Sequence, residues 1–214
     1  MSSRAPEDAR RLEGNGAGLV RERALALRIQ GALERIYGLE RVAAVDEFVV
    51  EVGEGEREAL LLREEDGALE MGLRLPQLEA EAALDTTCQI IEGVSHFVYL
   101  VERARVRRET TQLELELQAE VDKWVVLGGS IRSFDARSSA QLRKRLYEAV
   151  SYAEAEGTEN GDRYRVANEV ANRFVRRLER RYVDGARFRE LRAELRTFYH
   201  LGQEEKLRLG RTAA

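Results

Sequence analysis

At 214 residues the chain can bury a sizeable core, as one large domain or two small ones. Its 43% hydrophobic and 35% charged residues argue against a disordered chain. A net charge of −4 and an isoelectric point near 5.5 argue against a dedicated nucleic-acid binder. The charge is unevenly placed. Residues 131–214 hold 19 Lys and Arg against 13 Asp and Glu, a net of +6 that leaves −10 for the rest. Such a split suits either an anionic partner or two faces that attract each other within the fold.

Only Lys123, Lys144 and Lys206 interrupt an otherwise all-Arg basic set, a bias expected of a GC-rich, bacterial-type genome. Cys88 is the single cysteine, so no internal disulfide forms and a reducing cytoplasm is the expected compartment. The first residues carry acids early and lack the apolar stretch of a secretory signal. The longest weakly charged run, Thr86–Val101, contains Glu92 and His96 and is too short and too polar to span a bilayer.

Residues 1–17 are polar and aperiodic and predict a flexible tail ahead of a single α+β domain over 18–214. From Leu19, the positions Leu25, Ile29, Leu33 and Ile36 predict a helix that stops at Gly38. The period then changes. Phe48–Val52, Ala59–Leu62 and Leu69–Leu73 are short apolar runs, separated by Gly53-Glu54-Gly55 and Asp66-Gly67. They predict a three-stranded antiparallel meander over about 47–75, ended by Pro76. Beyond it the chain is helical, over about 85–210. A capping box at Ser138–Gln141 predicts a helix to about Glu156. Further helices are expected at about Asp162–Tyr182, Ala186–His200 and Gln203–Leu209.

The stretch from Asp85 to Gly128 predicts two antiparallel helices joined at Arg107–Thr110, the centre of the bundle. On the first, Ile90, Val94, Phe97 and Val101 form an apolar stripe. Opposite lie Cys88, Glu92, Ser95, Tyr99 and Arg103, with His96 beside them. Glu92 and His96 are four apart and so share a face. The second helix sets Glu116 and Glu120 within or beside the face of Leu113, Leu117, Val121 and Trp124. A hinge near residue 109 would level Arg103 with Glu116, Tyr99 with Glu120, and His96 with Asp122. If the polar stripe turns inward, these groups gather in a partly buried slot. Glu92, His96, Glu116 and Glu120 are then candidate ligands for a divalent Zn, Fe or Mn. Glu92, His96 and Glu120 are candidate acid/base groups. If the two apolar stripes meet instead, Glu92, Tyr99 and Arg103 lie in water; that arrangement, or a purely structural salt-bridge ladder, is the commoner outcome for such patterns. The spacing Glu-x-x-x-His, present once, also differs from the Glu-x-x-His of carboxylate di-metal bundles.

Other features have simpler readings. Cys88 and His96 are about two turns apart, roughly 12 Å along a helix, too far for direct proton transfer. Asn168 and Asn172 are expected to bond a neighbouring helix. The run Arg173, Arg176, Arg177, Arg180 and Arg181, continued by Arg187, Arg189, Arg192 and Arg196, spreads over more than half a helix circumference. It reads as a solvated face, with binding of an anionic partner as the fainter alternative. His200 sits at a helix end, where the dipole favours a charged imidazole. The expected function is a soluble interaction or regulatory protein with a protein partner, no required cofactor, no nucleic acid and no membrane. The alternative is a metal-binding or acid/base enzyme built on the Glu/His cluster. An exposed sheet edge offers a place for a second copy.

Overall fold

The computed structural model describes residues 19–50, 59–65, 68–78, 84–152 and 154–211. The expected tail at 1–17 and the turns at Gly53-Glu54-Gly55 and Asp66-Gly67 lie outside the described residues. Helix α1, Val20–Tyr37, forms where the sequence predicts it. It buries Ala26, Ile29, Leu33 and Tyr37, and ends on Gly38 at φ 73°, the left-handed geometry glycine adopts without a Cβ penalty. Gln30 of α1 then holds the next loop: its Oε1 accepts from Val45 N–H at 2.9 Å and its Nε2 donates to the Ala43 carbonyl at 2.7 Å. A 3-10 turn, Val45–Phe48, leads into the sheet.

Strands β1 (Val49–Val50), β2 (Ala59–Glu65) and β3 (Ala68–Arg74) form a small sheet in the order β1-β3-β2. β2 and β3 are the expected antiparallel hairpin, with Leu60 opposite Leu73. The third pairing corrects the expected all-antiparallel meander. β1 runs parallel to β3, with Val49 opposite Leu73, so the sheet is mixed. The cause is linker length. Positions 66–67 leave no room for anything but a hairpin, whereas 51–58 are long enough to free β1 from β2.

Seven α-helices occur among the described residues. α2 (Leu84–Arg105) and α3 (Gln112–Ser130) are the predicted hairpin, and Thr111 caps α3 by accepting from Glu114 N–H. α4 (Ala136–Tyr147) starts earlier than expected, because Asp135 rather than Ser138 is the cap. A carboxylate serves that position better than a hydroxyl, since it also meets the positive end of the helix dipole. α4 stops at Tyr147 rather than Glu156; beyond it Glu148, Ala149, Val150 and Ser151 are exposed and give the helix nothing to bury. α5 (Glu159–Leu178) continues through a π-helical turn, Glu179–Val183. α6 (Phe188–His200) and α7 (Gln203–Arg211) complete the chain. Asn168 and Asn172 both face α4 as expected: Asn172 accepts from Arg143 at 3.1 Å, and Asn168 makes a long contact of 3.5 Å to the Leu146 carbonyl.

One continuous cluster of buried apolar side chains draws on α1 to α6 and on strands β1 and β3. α2 lies at its centre. Ile90, Val94 and Phe97 face the core, with Phe97 against Phe48 of the 3-10 turn (centroids 5.0 Å apart). Its opposite face is also buried, through Ser95, Tyr99 and Arg103. The two apolar stripes of the hairpin therefore do not meet. The polar stripe of α2 turns inward onto α3 rather than into water, and ion pairs of the kind a salt-bridge ladder has run along it, Arg103 with Glu114 and Lys123 with Glu92. No helix among the described residues is long and apolar enough to cross a membrane.

Candidate functional site

The α2–α3 interface carries two groups of polar side chains. The inner one is closed. Asp122 of α3, 1% exposed, accepts from Tyr37 of α1, from Ser95 Oγ at 2.6 Å and from Gln118 Nε2 at 2.9 Å. Gln118 Oε1 accepts from Lys206 Nζ at 2.8 Å, and the same ammonium donates to the Tyr99 hydroxyl at 2.8 Å. Tyr99 donates to Glu114 Oε1 at 2.5 Å and accepts from Arg103, which also pairs with Glu114. Lys206, fully buried on α7, lies over the Tyr99 ring at 4.4 Å. Burial pushes the Asp122 carboxyl up to about 6 and the Lys206 amine down to about 7.

The outer group is Glu92, His96, Glu116, Glu120 and Lys123. Lys123 Nζ sits 2.6 Å from Glu92 Oε2 and 2.9 Å from Glu120 Oε1. Burial alone would lower the Lys123 pKa, but the two carboxylates outweigh it and hold the ammonium charged. Burial raises the Glu120 carboxyl despite Lys123 beside it. His96 Nε2 lies 3.6 Å from Glu116 Oε2, too long for a hydrogen bond. That nitrogen is buried and has no hydrogen-bond partner among the described residues. Burial lowers the His96 pKa, with Glu92 opposing and Lys123 assisting, so the ring is neutral at pH 7.

One ligand atom each from Glu92, His96 and Glu116 lie within 4.8 Å of one another. Among the described residues this is the one set of three such groups so close together. Metal bonds of about 2.1 Å place ligand atoms roughly 3–4 Å apart, so a small side-chain adjustment would bring the three into a coordination sphere. Beside the set opens a cleft of ≈ 560 Å³, lined by Glu92, Glu120 and Lys123 and, further out, by Cys88, Tyr152 and Tyr164. It reaches the outer group at Glu92, Glu120 and Lys123, while His96 and Glu116 stand behind its lining.

Of the four residues the sequence singles out, the structure brings Glu92, His96 and Glu116 together and places Glu120 on the far side of Lys123. The expected levels are partly displaced. Arg103 and Tyr99 both bond Glu114 rather than Glu116 and Glu120, and Ser95, not His96, meets Asp122. Sequence reasoning missed Lys123 and Lys206. The signal was present: in a chain with almost only Arg, two of the three lysines are the buried ones. A lysine can lie neutral or compact where a guanidinium cannot.

The remaining candidates fall away. Burial raises the Cys88 thiol to about 11, so it is no thiolate nucleophile. The pKa of His200 is lowered, through burial and the cations Arg103, Arg108 and Lys206, against the rise its helix dipole would give. Several of the C-terminal arginines are held within the fold: Arg177 by Glu194 at 2.6 Å, Arg187 by Glu190 at 3.1 Å, and Arg196 on the Ile36 carbonyl at 2.7 Å. Comparison with protein-family models, with curated proteins and with solved structures returned no match for this chain.

Proposed function

We propose that this protein binds a divalent transition metal through Glu92, His96 and Glu116. One observation carries the reading: a buried, neutral imidazole whose Nε2 lacks a hydrogen-bond partner among the described residues stands among carboxylates. A neutral imidazole with carboxylate oxygens is the donor set for Zn, Fe or Mn. Neutral His96 binds without first losing a proton. Lys123 is the competing cation. It bonds both Glu92 and Glu120, so it can keep Glu120 when Glu92 turns to a metal. Glu120, its carboxyl raised by burial and lining the cleft, is the group that would do acid/base work on whatever enters.

Two other readings have less support. For a protein-interaction role no observation comparable to the unpartnered His96 nitrogen stands out among the described residues. Many of the arginines offered for an anionic partner bind groups of this chain instead. The lone Cys88 fits a cytoplasmic setting.

Equilibrium dialysis against Zn(II), Mn(II) or Fe(II), with elemental analysis, tests the proposal. One equivalent is expected on the wild type, and about 100-fold weaker binding in His96→Gln and in Glu116→Gln. Equal metal uptake by wild type and both variants overturns it.

A further inference from the structure

A second concavity lies on another part of the molecule, independent of the Glu/His cluster. The groove, of ≈ 490 Å³, lies between the end of α3, the loop to α4, and α6. Its wall is apolar: Trp124, Phe134, Phe188, Leu191 and Leu195. Trp124 meets Phe134 edge to face at 5.6 Å, and Phe134 meets Phe188 at 6.4 Å, a line of three rings from the core to the surface. Gly128 makes this possible. A Cβ there would stand 3.0 Å from the Phe134 ring, so the ring would have to give way by a few tenths of an ångström to keep this approach.

Three observations define what the groove takes. Its charged lining residues are Arg132 and Arg192, both exposed, and no acidic residue lines it. Neither arginine forms an ion pair with a described residue, unlike Arg177 and Arg187 on the same side of the chain. Trp124, 1% exposed, carries an indole N–H with no acceptor among the described residues. A buried tryptophan N–H ordinarily finds a partner, and one left over beside a groove calls for an explanation. The shape argues for a small molecule. The volume lies in the range of small-ligand sites. Of the large apolar residues lining it, Phe188 alone stands well exposed, so no flat apolar face extends outward to the roughly 800 Å² per partner of a stable dimer.

We propose that this groove binds a small amphipathic organic anion, with an aromatic or branched apolar body against Trp124, Phe134 and Phe188 and an acidic head group on Arg132 and Arg192. The apolar wall supplies the affinity through burial, the arginines select charge, and the indole N–H donates to an oxygen or nitrogen of the ligand.

Two dyes of nearly the same body separate these contributions on the full chain: 8-anilinonaphthalene-1-sulfonate, an anion, and neutral N-phenyl-1-naphthylamine. Trp124 is the single tryptophan, so quenching of its emission reports the site directly. The expected result is saturable one-to-one binding of the anionic dye with quenching of Trp124, about tenfold tighter than the neutral dye. The double variant Arg132→Gln/Arg192→Gln should lose that tenfold preference and keep the neutral dye's affinity. Phe188→Ala should weaken both dyes. Equal binding of the two dyes by the wild type, or an anionic preference that survives the double variant, overturns the proposal. So does a concentration-dependent dimer in sedimentation that excludes both dyes, since a second copy would then be the occupant.

Discussion

The two polar groups on the α2–α3 interface are made of similar residues and end in opposite conditions. In the inner group the carboxylates of Asp122 and Glu114 are both bonded, and Arg103 Nε is the one buried atom of its named side chains without a partner among the described residues. Asp122 takes three donors, and Lys206 reaches both Tyr99 and Gln118. In the outer group Lys123 is shared by two carboxylates while His96 Nε2 has no hydrogen-bond partner among the described residues, and Glu92, Glu120 and Lys123 border a cleft. A densely bonded buried network favours one arrangement of helices. An incompletely matched one beside a cleft is where a ligand can add bonds the protein does not make for itself. This difference supports a structural role for the first and the proposed metal site at the second.

The largest effect expected from breaking this contrast is in the inner group. Asp122→Ala strands the donors of Tyr37, Ser95 and Gln118, and should reduce stability by about 4 kcal/mol in urea unfolding. A loss under about 1 kcal/mol would mean the network is solvated and does not hold α1 to the hairpin.

Lys123→Met removes the cation between Glu92 and Glu120 and should lower metal-free stability by about 3 kcal/mol. The same variant should bind metal more tightly than the wild type, because the competing ammonium is gone. Weaker metal binding would make Lys123 part of the site rather than its rival.

The inner group also carries a pH signature. The carboxyl of Asp122 is raised from 3.8 to about 6, so its stabilising contribution is present below 3.8 and is lost as pH rises through 6. The amine of Lys206 is lowered from 10.5 to about 7, so its contribution is present above 10.5 and is lost as pH falls through 7. Together they predict a stability minimum between pH 6 and 7. Asp122→Asn should flatten the acid limb, worth roughly 3 kcal/mol, and Lys206→Met the alkaline one. Denaturant midpoints across pH 4 to 10 check both.

A smaller loss is expected where α7 docks. A Cβ on Gly210 would run into Val170 Cγ1 and stand 3.0 Å from the Val170 carbonyl. Gly210→Ala should cost about 2 kcal/mol and raise hydrogen exchange in α7 before the other helices. The smallest change in stability, under about 1 kcal/mol, belongs to His96→Gln, because Nε2 gives up no hydrogen bond.

How far the sequence made this arrangement legible follows from the same contrast. Periodicity placed α1 and the α2–α3 hairpin within a residue or two, and the i, i+4 spacing put Glu92 and His96 on one face. The phase of α2 was not readable. Ile90, Ile91, Phe97, Val98 and Tyr99 are all buried, so the helix is enclosed on every side and its pattern names no single inward face. The partners that make the polar face tolerable come from far along the chain: Tyr37 from α1 and Lys206 from α7. Nothing local to the hairpin announces them. β1 is two residues long, and its parallel pairing depends on a connection whose course no alternation pattern encodes.

The most direct test of the central claim is imidazole nitrogen NMR with Zn(II) titration, made simple by a chain with two histidines, His96 and His200. The account predicts that His96 is neutral at pH 7 and that its Nε2 resonance alone moves, saturating at one equivalent of metal. A His96 signal unmoved by Zn(II), or His96 and His200 shifting alike without saturation, would contradict it.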